Sequence, residues 1–306
     1  MRLRAGIAGE ESTDPVAALP DSDGITIRRV KSTAEYADCV AIQTATWGEG
    51  FSERVPSSLL RVAQYVGGIT AGAFTADGQL LGFVFGITGV RDARLVHWSD
   101  LLAVRPEARN HGLGRRLKLF QRDVLRAIGV ETIYWTFDPL VARNAHLNLN
   151  RLGAHVAQYV PDLYGVTTGT GHDVLGTDRF IVNWDIGAVN DGTSAPAGIT
   201  HDLDTNTGAT GDRTGTRSDT ERVPVINEAR DAHSPAAGSE LIDAPAVRLE
   251  IPNDISAIIA RDASVAQRWR DTTRHAFLWY LGRGYEVVGF DRDQASGRAF
   301  YRLARP

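Results

Sequence analysis

Apolar residues along the chain fall into short strand-like runs and longer helical lines. "ITIRRV" (25–30) reads as a strand, and Thr33 and Glu35 then open a helical line through Val40, Thr44 and Trp47. Residues 67–89, "GGITAGAFTADGQLLGFVFGITG", hold two strand-like runs separated by Asp77-Gly78, a favoured hairpin turn. "LVHWSDLLAV" (95–104) is a further strand, apolar at its far end as expected where both faces are covered. It stops at Arg105-Pro106, because proline cannot donate to a ladder. Leu113, Leu117, Phe120, Val124 and Ile128 step by three and four along one helical face, which Gly129 ends. "ETIYWTF" (131–137) is the next strand. After Asp138-Pro139, a second helical face runs through Val141, Ala145, Leu149 and Leu152 to Gly153, and "AHVAQYV" and "DRFIVNW" (178–184) complete the set. This order predicts one α/β layer structure over residues 25–186.

Outside that span the pattern changes. Residues 1–24 are polar and punctuated by Gly and Pro, which predicts a flexible tail. Residues 187–245 contain no aromatic residue, although the chain has six Trp, eight Tyr and ten Phe. Such a segment buries too little apolar surface to offset the entropy of ordering it, so a mostly disordered linker is expected, with "VPVIN" (223–227) as its ordered island. Alternation returns at "AVRLEIP" (246–252). A long helix follows from "SVAQ" (264–267), whose Ser and Gln have capping-box spacing, with an apolar line through Val265, Trp269, Ala276 and Tyr280. "GYEVVGF" and "RAFYRL" then supply two strands. Residues 246–306 therefore form a C-terminal strand–helix–strand–strand extension that repeats the layout of 131–184. It reads either as a duplicated half-domain or as an extension that completes the first sheet.

Composition narrows the function classes. Hydrophobic residues make up 43% of the 306 and charged residues 23%, with a net charge of −4. This is a globular balance that gives no reason to expect nucleic acid or an anionic membrane as partner. No apolar run reaches the ~20 residues of a membrane span, and the first residues lack the apolar core of a signal peptide. Cys39 is alone, and the eight histidines show no metal-ligand spacing, so no metal is expected. A cytoplasmic location is the expectation, and a homo-oligomer is left open.

The chemistry concentrates in "ARNHGLGRRL" (108–117), between the strand ending at Val104 and the helix beginning at Leu113. The first turn of a helix carries unpaired N–H groups at the positive end of its dipole. Gly112 and Gly114 let a backbone approach an anion closely, and Arg109, Arg115 and Arg116 add charge around the same point. Neither the Walker loop nor the dinucleotide fingerprint fits, because their further glycines and lysine are missing. A surface turn punctuated by glycine is the alternative.

The pattern Arg109-x-x-Gly112-x-Gly114, four residues after "AVRP" (103–106), resembles the acyl-CoA-binding motif (Q/R)-x-x-G-x-(G/A) of the GNAT superfamily of N-acyltransferases. The order of strands and helices over residues 25–186 resembles that fold as well. "WTFDPLVARNAHLNLNRLGA", "YVPDLYG", "TDRFIVNW", "LEIP" and "WR…R…GY" are similar to a bacterial subgroup that includes succinyl-CoA-dependent amino-acid N-succinyltransferases. The resemblance implies a GNAT-like mixed sheet flanked by helices, acetyl-CoA or succinyl-CoA as co-substrate, and transfer of the acyl group to a small amine or amino acid. It implies that the backbone N–H groups of Asn110, His111, Gly112, Leu113 and Gly114 hold the CoA pyrophosphate beside Arg109 and Arg115. The strand ending in Leu101, Leu102, Ala103 and Val104 would then meet the pantetheine arm where it splays from 131–137, and Asn144 would contact the cofactor.

One position departs from the pattern. Many GNAT enzymes carry a tyrosine four residues before the helix-ending glycine, and this chain has Leu149 there. Either Tyr159 or Tyr164 protonates the leaving thiolate instead, or no acid is needed because a thiolate is a good leaving group. Asp100 and His97, on the strand that enters the site, are the candidate bases. Asp138 reads as a turn or cap residue, Asp178-Arg179 as an ion pair with Arg179 also able to meet a carboxylate, and His146 as a solvated helix residue. Trp135, Trp184, Trp269 and Trp279 read as core. The missing tyrosine keeps one rival alive, a non-catalytic acyl-CoA-binding regulatory module; a second is an assembly subunit whose C-terminal half supplies a partner surface, tethered by residues 187–245.

Overall fold

The structure is a computed structural model that describes residues 23–165, 175–187, 223–231, 234–235, 240–293 and 297–306. Residues 1–22 of the expected tail and 188–222 of the expected linker lie outside the described residues. From the N-terminal side the elements are β1 (Thr26–Arg29), α1 (Thr33–Trp47), α2 (Ser57–Tyr65), β2 (Ile69–Phe74), β3 (Leu80–Arg91), β4 (Arg94–Val104), α3 (Leu113–Ala127), β5 (Thr132–Phe137), α4 (Ala142–Ala145), β6 (His155–Val160) and β7 (Arg179–Asp185). The seven strands form one mixed sheet in the order β1-β2-β3-β4-β5-β7-β6, so this half is an α/β sheet flanked by helices as expected. Every neighbouring pair is antiparallel except β4 and β5.

Local chemistry explains most boundaries. Ser32 caps α1 in a full capping box with Glu35, one residue before the expected start. Asp77-Gly78 turns the β2–β3 hairpin as read. On one face α1 and α2 cover Phe83, Phe85, Leu101 and Ala103, and on the other α3 covers Ala71, Val84, Ile133 and Trp135. Helix α2 was not expected. Leu60 and Ala63 are buried while Leu59, Val62 and Tyr65 are exposed, so the apolar side of this short helix is wider than the face it buries. The second helical line also differs from expectation: α4 lasts one turn and continues as a π-helix over His146–Arg151. The wider turn brings Asn148 into the interior, beside the line read from the sequence.

The C-terminal residues form a sheet of their own and do not extend the first. Its elements are β8 (Val225–Ile226), β9 (Ala229–Asp231), β10 (Ser234–Pro235), β11 (Ala246–Ile251), α5 (Ile255–Arg261), α6 (Ala263–Leu281), β12 (Glu286–Asp293) and β13 (Arg298–Ala304). Strand order is β12-β13-β11-β8, with β9 and β10 as a separate ribbon. Val225 and Ile226 of the expected island pair in parallel with β11. Helix α6 starts at Ala263 and not at Ser264: Asp262 is its cap, accepting from the N–H groups of Ser264 and Val265, so the Ser264–Gln267 capping box does not form.

One continuous core joins the halves. Phe180 of β7 packs edge-on against Phe277 of α6 and Tyr301 of β13, with ring centroids 4.8 and 5.4 Å away. Around this cluster runs a buried ionic network. Arg270 of α6 pairs with Asp138 at 2.6 Å and lies 3.9 Å from Asp178, and Arg274 binds both Asp178 and Asp162. Tyr159 donates its hydroxyl to Asp178. Burial pushes the Asp178 carboxyl up, but Arg274, Tyr159 and Arg270 outweigh it and hold it below the usual carboxylate range. The expected Asp178–Arg179 pair is not formed; the Arg179 guanidinium donates to the Asp178 backbone carbonyl. Tyr301 completes the joint by donating to the Pro139 carbonyl at 2.8 Å.

Removing one member of a buried pair leaves the other charged and unpaired. Asp138→Ala is therefore expected to cost about 3–5 kcal/mol in urea unfolding, and Arg270→Met with Asp138→Leu together much less than either alone. Additive losses in that double-mutant cycle would show that the two residues do not act as a pair.

Candidate functional site

The site begins with a break in the sheet. β4 and β5 pair in parallel only from Val96 to Trp98 and from Thr132 to Tyr134. Beyond these residues β4 continues along β3 as far as Val104, and β5 continues along β7 as far as Phe137. The strands diverge, and each leaves one edge of backbone N–H and C=O groups facing a wedge.

A bulge lies at the apex of that wedge. Phe85 pairs with Leu101 and Gly86 with Ser99, which leaves Asp100 without a register partner. The extra residue reverses the alternation of β4. His97 and Ser99 point toward α3, whereas Leu101 and Ala103 point toward α1 and α2, and Leu102 and Val104 pack on the α3 side.

At the wide end of the wedge the chain turns through Pro106–Ala108 into α3. Arg109 donates to the Val104 carbonyl at 3.0 Å, which fastens the loop to the end of β4. Asn110 and Gly112 then take left-handed φ angles of 66° and 74°. Asn110, His111 and Gly112 are exposed, Leu113 is buried, and Gly114 is intermediate. A side chain at Gly112 would meet no atom within 4 Å, and one at Gly114 only Leu102 at 3.7 Å. The unpaired backbone N–H groups of the first helical turn lie at this open end, the general setting in which helices accept anions. Arg115 is exposed beside it, near the Arg151 carbonyl at 3.5 Å, whereas Arg116 is committed to Asp23 at 2.7 Å. Asn144 is half-buried on α4.

The four acid–base candidates separate sharply. His97 is fully buried. Thr88 donates its hydroxyl to the Gly67 carbonyl, so it accepts from His97 Nδ1 at 3.0 Å, and His97 Nε2 accepts from Gln121. Gly86 makes this possible, because a Cβ there would sit 2.3 Å from His97 Nε2. Burial first, and the nearby Lys118 second, push the imidazole down to about 3. Tyr159 is 9% exposed and committed to Asp178; burial and that carboxylate raise its hydroxyl far above the usual range. Neither group faces the wedge.

Asp100 and Tyr164 are exposed instead. The Asp100 side chain is exposed at the bulge, yet crowding raises its carboxyl; the Trp98 indole opposes that rise and the Glu53 carboxylate adds to it. Tyr164 is 46% exposed, and its hydroxyl lies 3.0 Å from Thr136 Oγ1, on the part of β5 that has left β4. Arg179 lies over the Tyr164 ring at 5.3 Å. Trp135, Trp184 and Trp269 are buried, as read. His146 contacts Asn150 and lines a cavity of about 530 Å³ with Asn253, Phe290 and Arg292.

The sequence reading missed a buried polar cluster on the α3 side of the apex. Lys118 is 2% exposed, donates to Ser99 Oγ at 2.7 Å, and lies 4.0 Å from the Trp135 ring centre. Burial alone pushes its ammonium down to about 7. A signal was available: of 33 basic residues only Lys31 and Lys118 are lysine, and Lys118 falls on the covered side of an amphipathic helix. Among the described residues no group of His, Cys, Asp and Glu could hold a metal, and no helix is long and apolar enough to cross a membrane.

No protein-family model matches the chain, and no curated protein matches it. Solved structures do align with part of it. They include the putative acetyltransferase yncA from Salmonella typhimurium with its cofactor acetyl-CoA, at 20% identity over 57% of this chain and 99% of that one, with a TM-score of 0.41. The ribosomal-protein-S18-alanine N-acetyltransferase from Escherichia coli aligns at 20% identity over 56% and 99%, with a TM-score of 0.42. An acetyltransferase of the GNAT family from Streptococcus pneumoniae aligns at 18% identity over 52% and 98%, also at 0.42.

The placement of His97 has a direct consequence for stability. Its folded pKa of about 3 lies below the ordinary 6.5, so the unfolded chain binds more protons across that window. The fold therefore loses stability as pH falls from 6.5 toward 3. In His97→Asn the slope of unfolding free energy against pH should be shallower over this range. An unchanged slope would mean that His97 is not held neutral in the interior.

Proposed function

We propose that the chain is an acyl-CoA-dependent N-acyltransferase of GNAT type that moves an acetyl or succinyl group to a small amine, such as an amino acid. The observation that carries this reading is the wedge with an anion cradle at its wide end. A pyrophosphate against the N–H groups of Asn110 to Gly114 would leave the pantetheine arm along the open edge of Leu102, Ala103 and Val104, where its amides replace the missing partner strand. The thioester then arrives at the apex. Arg109 supports the cradle by holding the loop to β4, while Arg115 and Asn144 flank the entry.

A thioester is already activated, so the protein's task is alignment and proton management. The amine attacks the carbonyl carbon, the C–N bond forms, and the C–S bond breaks. Asp100, exposed at the bulge with a raised carboxyl pKa, takes the proton from the amine. Tyr164, above the diverging end of β5, supplies a proton to the departing thiolate. His97 and Tyr159 act in the interior as structural residues.

Gly112→Asp places a negative charge in the cradle at a left-handed position that Asp tolerates better than most residues. Calorimetry should show CoA affinity falling at least ~tenfold, about 1.4 kcal/mol. Gly114→Ala should leave affinity nearly unchanged, since only Leu102 is within 4 Å of the added carbon. Free-thiol release from acetyl-CoA and succinyl-CoA over a panel of amines tests turnover, which Asp100→Asn should lower about 10²–10⁴-fold. Unchanged CoA affinity in Gly112→Asp would overturn the cradle. Tight CoA binding without thiol release from any amine would favour the regulatory module.

A further inference from the structure

Lys118, like His97, is an ionisable group at the apex that the proposed reaction does not use, and unlike His97 it is a primary amine. It projects from α3 to Ser99 and Trp135, which are the first residues of β4 and β5 beyond their shared pairing. Among the described residues no ion pair includes it, so its charged form is buried without a carboxylate. Such burial costs several kcal/mol and drives the group toward the free amine. Arginine cannot make that adjustment, and this chain uses arginine at every basic position except two.

Two buried groups close by, unlike Lys118 with its bond to Ser99, have no partner. Trp135 Nε1 and Gln121 Oε1 are buried with no hydrogen-bond partner, one a donor and the other an acceptor. An amide needs one of each. We infer that Lys118 is itself an acyl acceptor: the thioester carried into the wedge acylates its Nζ, and the resulting amide is received by Trp135 and Gln121. This rests on the wedge being the acyl-CoA site.

The step balances without a further reactant. The neutral Nζ attacks the thioester carbon, the C–N bond forms, the C–S bond breaks, and the proton lost by the amine ends on the CoA thiol. The product is a neutral Nε-acyl-lysine, which removes the buried charge. With a folded pKa of about 7, a substantial fraction of Lys118 is free amine at neutral pH, whereas exposed Lys31 lacks this burial.

The two lysines make the experiment selective. The full chain is incubated with acetyl-CoA, and acetylation of Lys118 and Lys31 is followed by peptide mass spectrometry, with CoA affinity measured on the same preparation. Lys118 is expected to be acetylated at least ~tenfold faster than Lys31. Gly112→Asp should abolish that advantage and leave Lys31 unchanged, and Lys118→Met should leave only the slow Lys31 signal. Acetylation of Lys118 no faster than Lys31, with CoA bound normally, would overturn the proposal and leave the acyl-CoA site standing. Failure to bind CoA at all would overturn both.

Discussion

Three residues of parallel pairing hold β4 to β5, and the geometry of the site depends on their stopping there. Had the ladder continued, the edge groups of Leu101–Val104 and Trp135–Phe137 would have satisfied each other and left no groove. Two constraints keep the strands apart. On one side β4 is bound to β3 along its whole length and is turned at Asp100 by a bulge. On the other, β5 is bound to β7, and Asp138, just past its end, is fastened to Arg270 of the C-terminal helix. Open backbone edges inside a fold are costly unless something pairs with them, which is the part the proposed cofactor would play.

The C-terminal half thereby gains a structural purpose. Its aromatic cluster and its two arginines grip the far end of β5, the Asp138-Pro139 turn and the residues around Asp178. Asn150, in the π-helical stretch after α4, also donates to the Phe290 carbonyl of β12 at 2.8 Å. The segments around Asp138, Asp162, Asp178, Arg270 and Arg274, which carry the subgroup resemblance, therefore form the joint between the halves. Their chemistry is ionic, with Asp138, Asp178 and Arg270 buried and Asp162 and Arg274 partly so, while Asp100 and Tyr164 are exposed.

Much of this was legible from the residues alone. Period-two and period-three-to-four apolar spacing marked most strands and helices, and the glycines before Leu113 marked the turn into α3. What remained hidden depended on pairs of elements. His97 and Asp100 lie three apart on one strand, and only the register against β3 shows the bulge that sends one inward and leaves the other exposed. Tyr159 and Tyr164 are likewise indistinguishable until Asp178 is seen to hold the first and Thr136 the second. Leu149, which stands where a tyrosine was expected, packs against the core on a π-helix whose wider turn shifts every later side chain.

The central claim is that the wedge between β4 and β5 receives acyl-CoA, with its pyrophosphate at the start of α3. A crystal structure of the chain with CoA tests it most directly. The account predicts pyrophosphate oxygens within hydrogen-bond distance of the N–H groups of residues 110–114, and the pantetheine arm running between Leu101–Val104 and Trp135–Phe137 toward Asp100. CoA seated elsewhere, for instance in the cavity between His146 and Arg292, with the wedge empty, would contradict it.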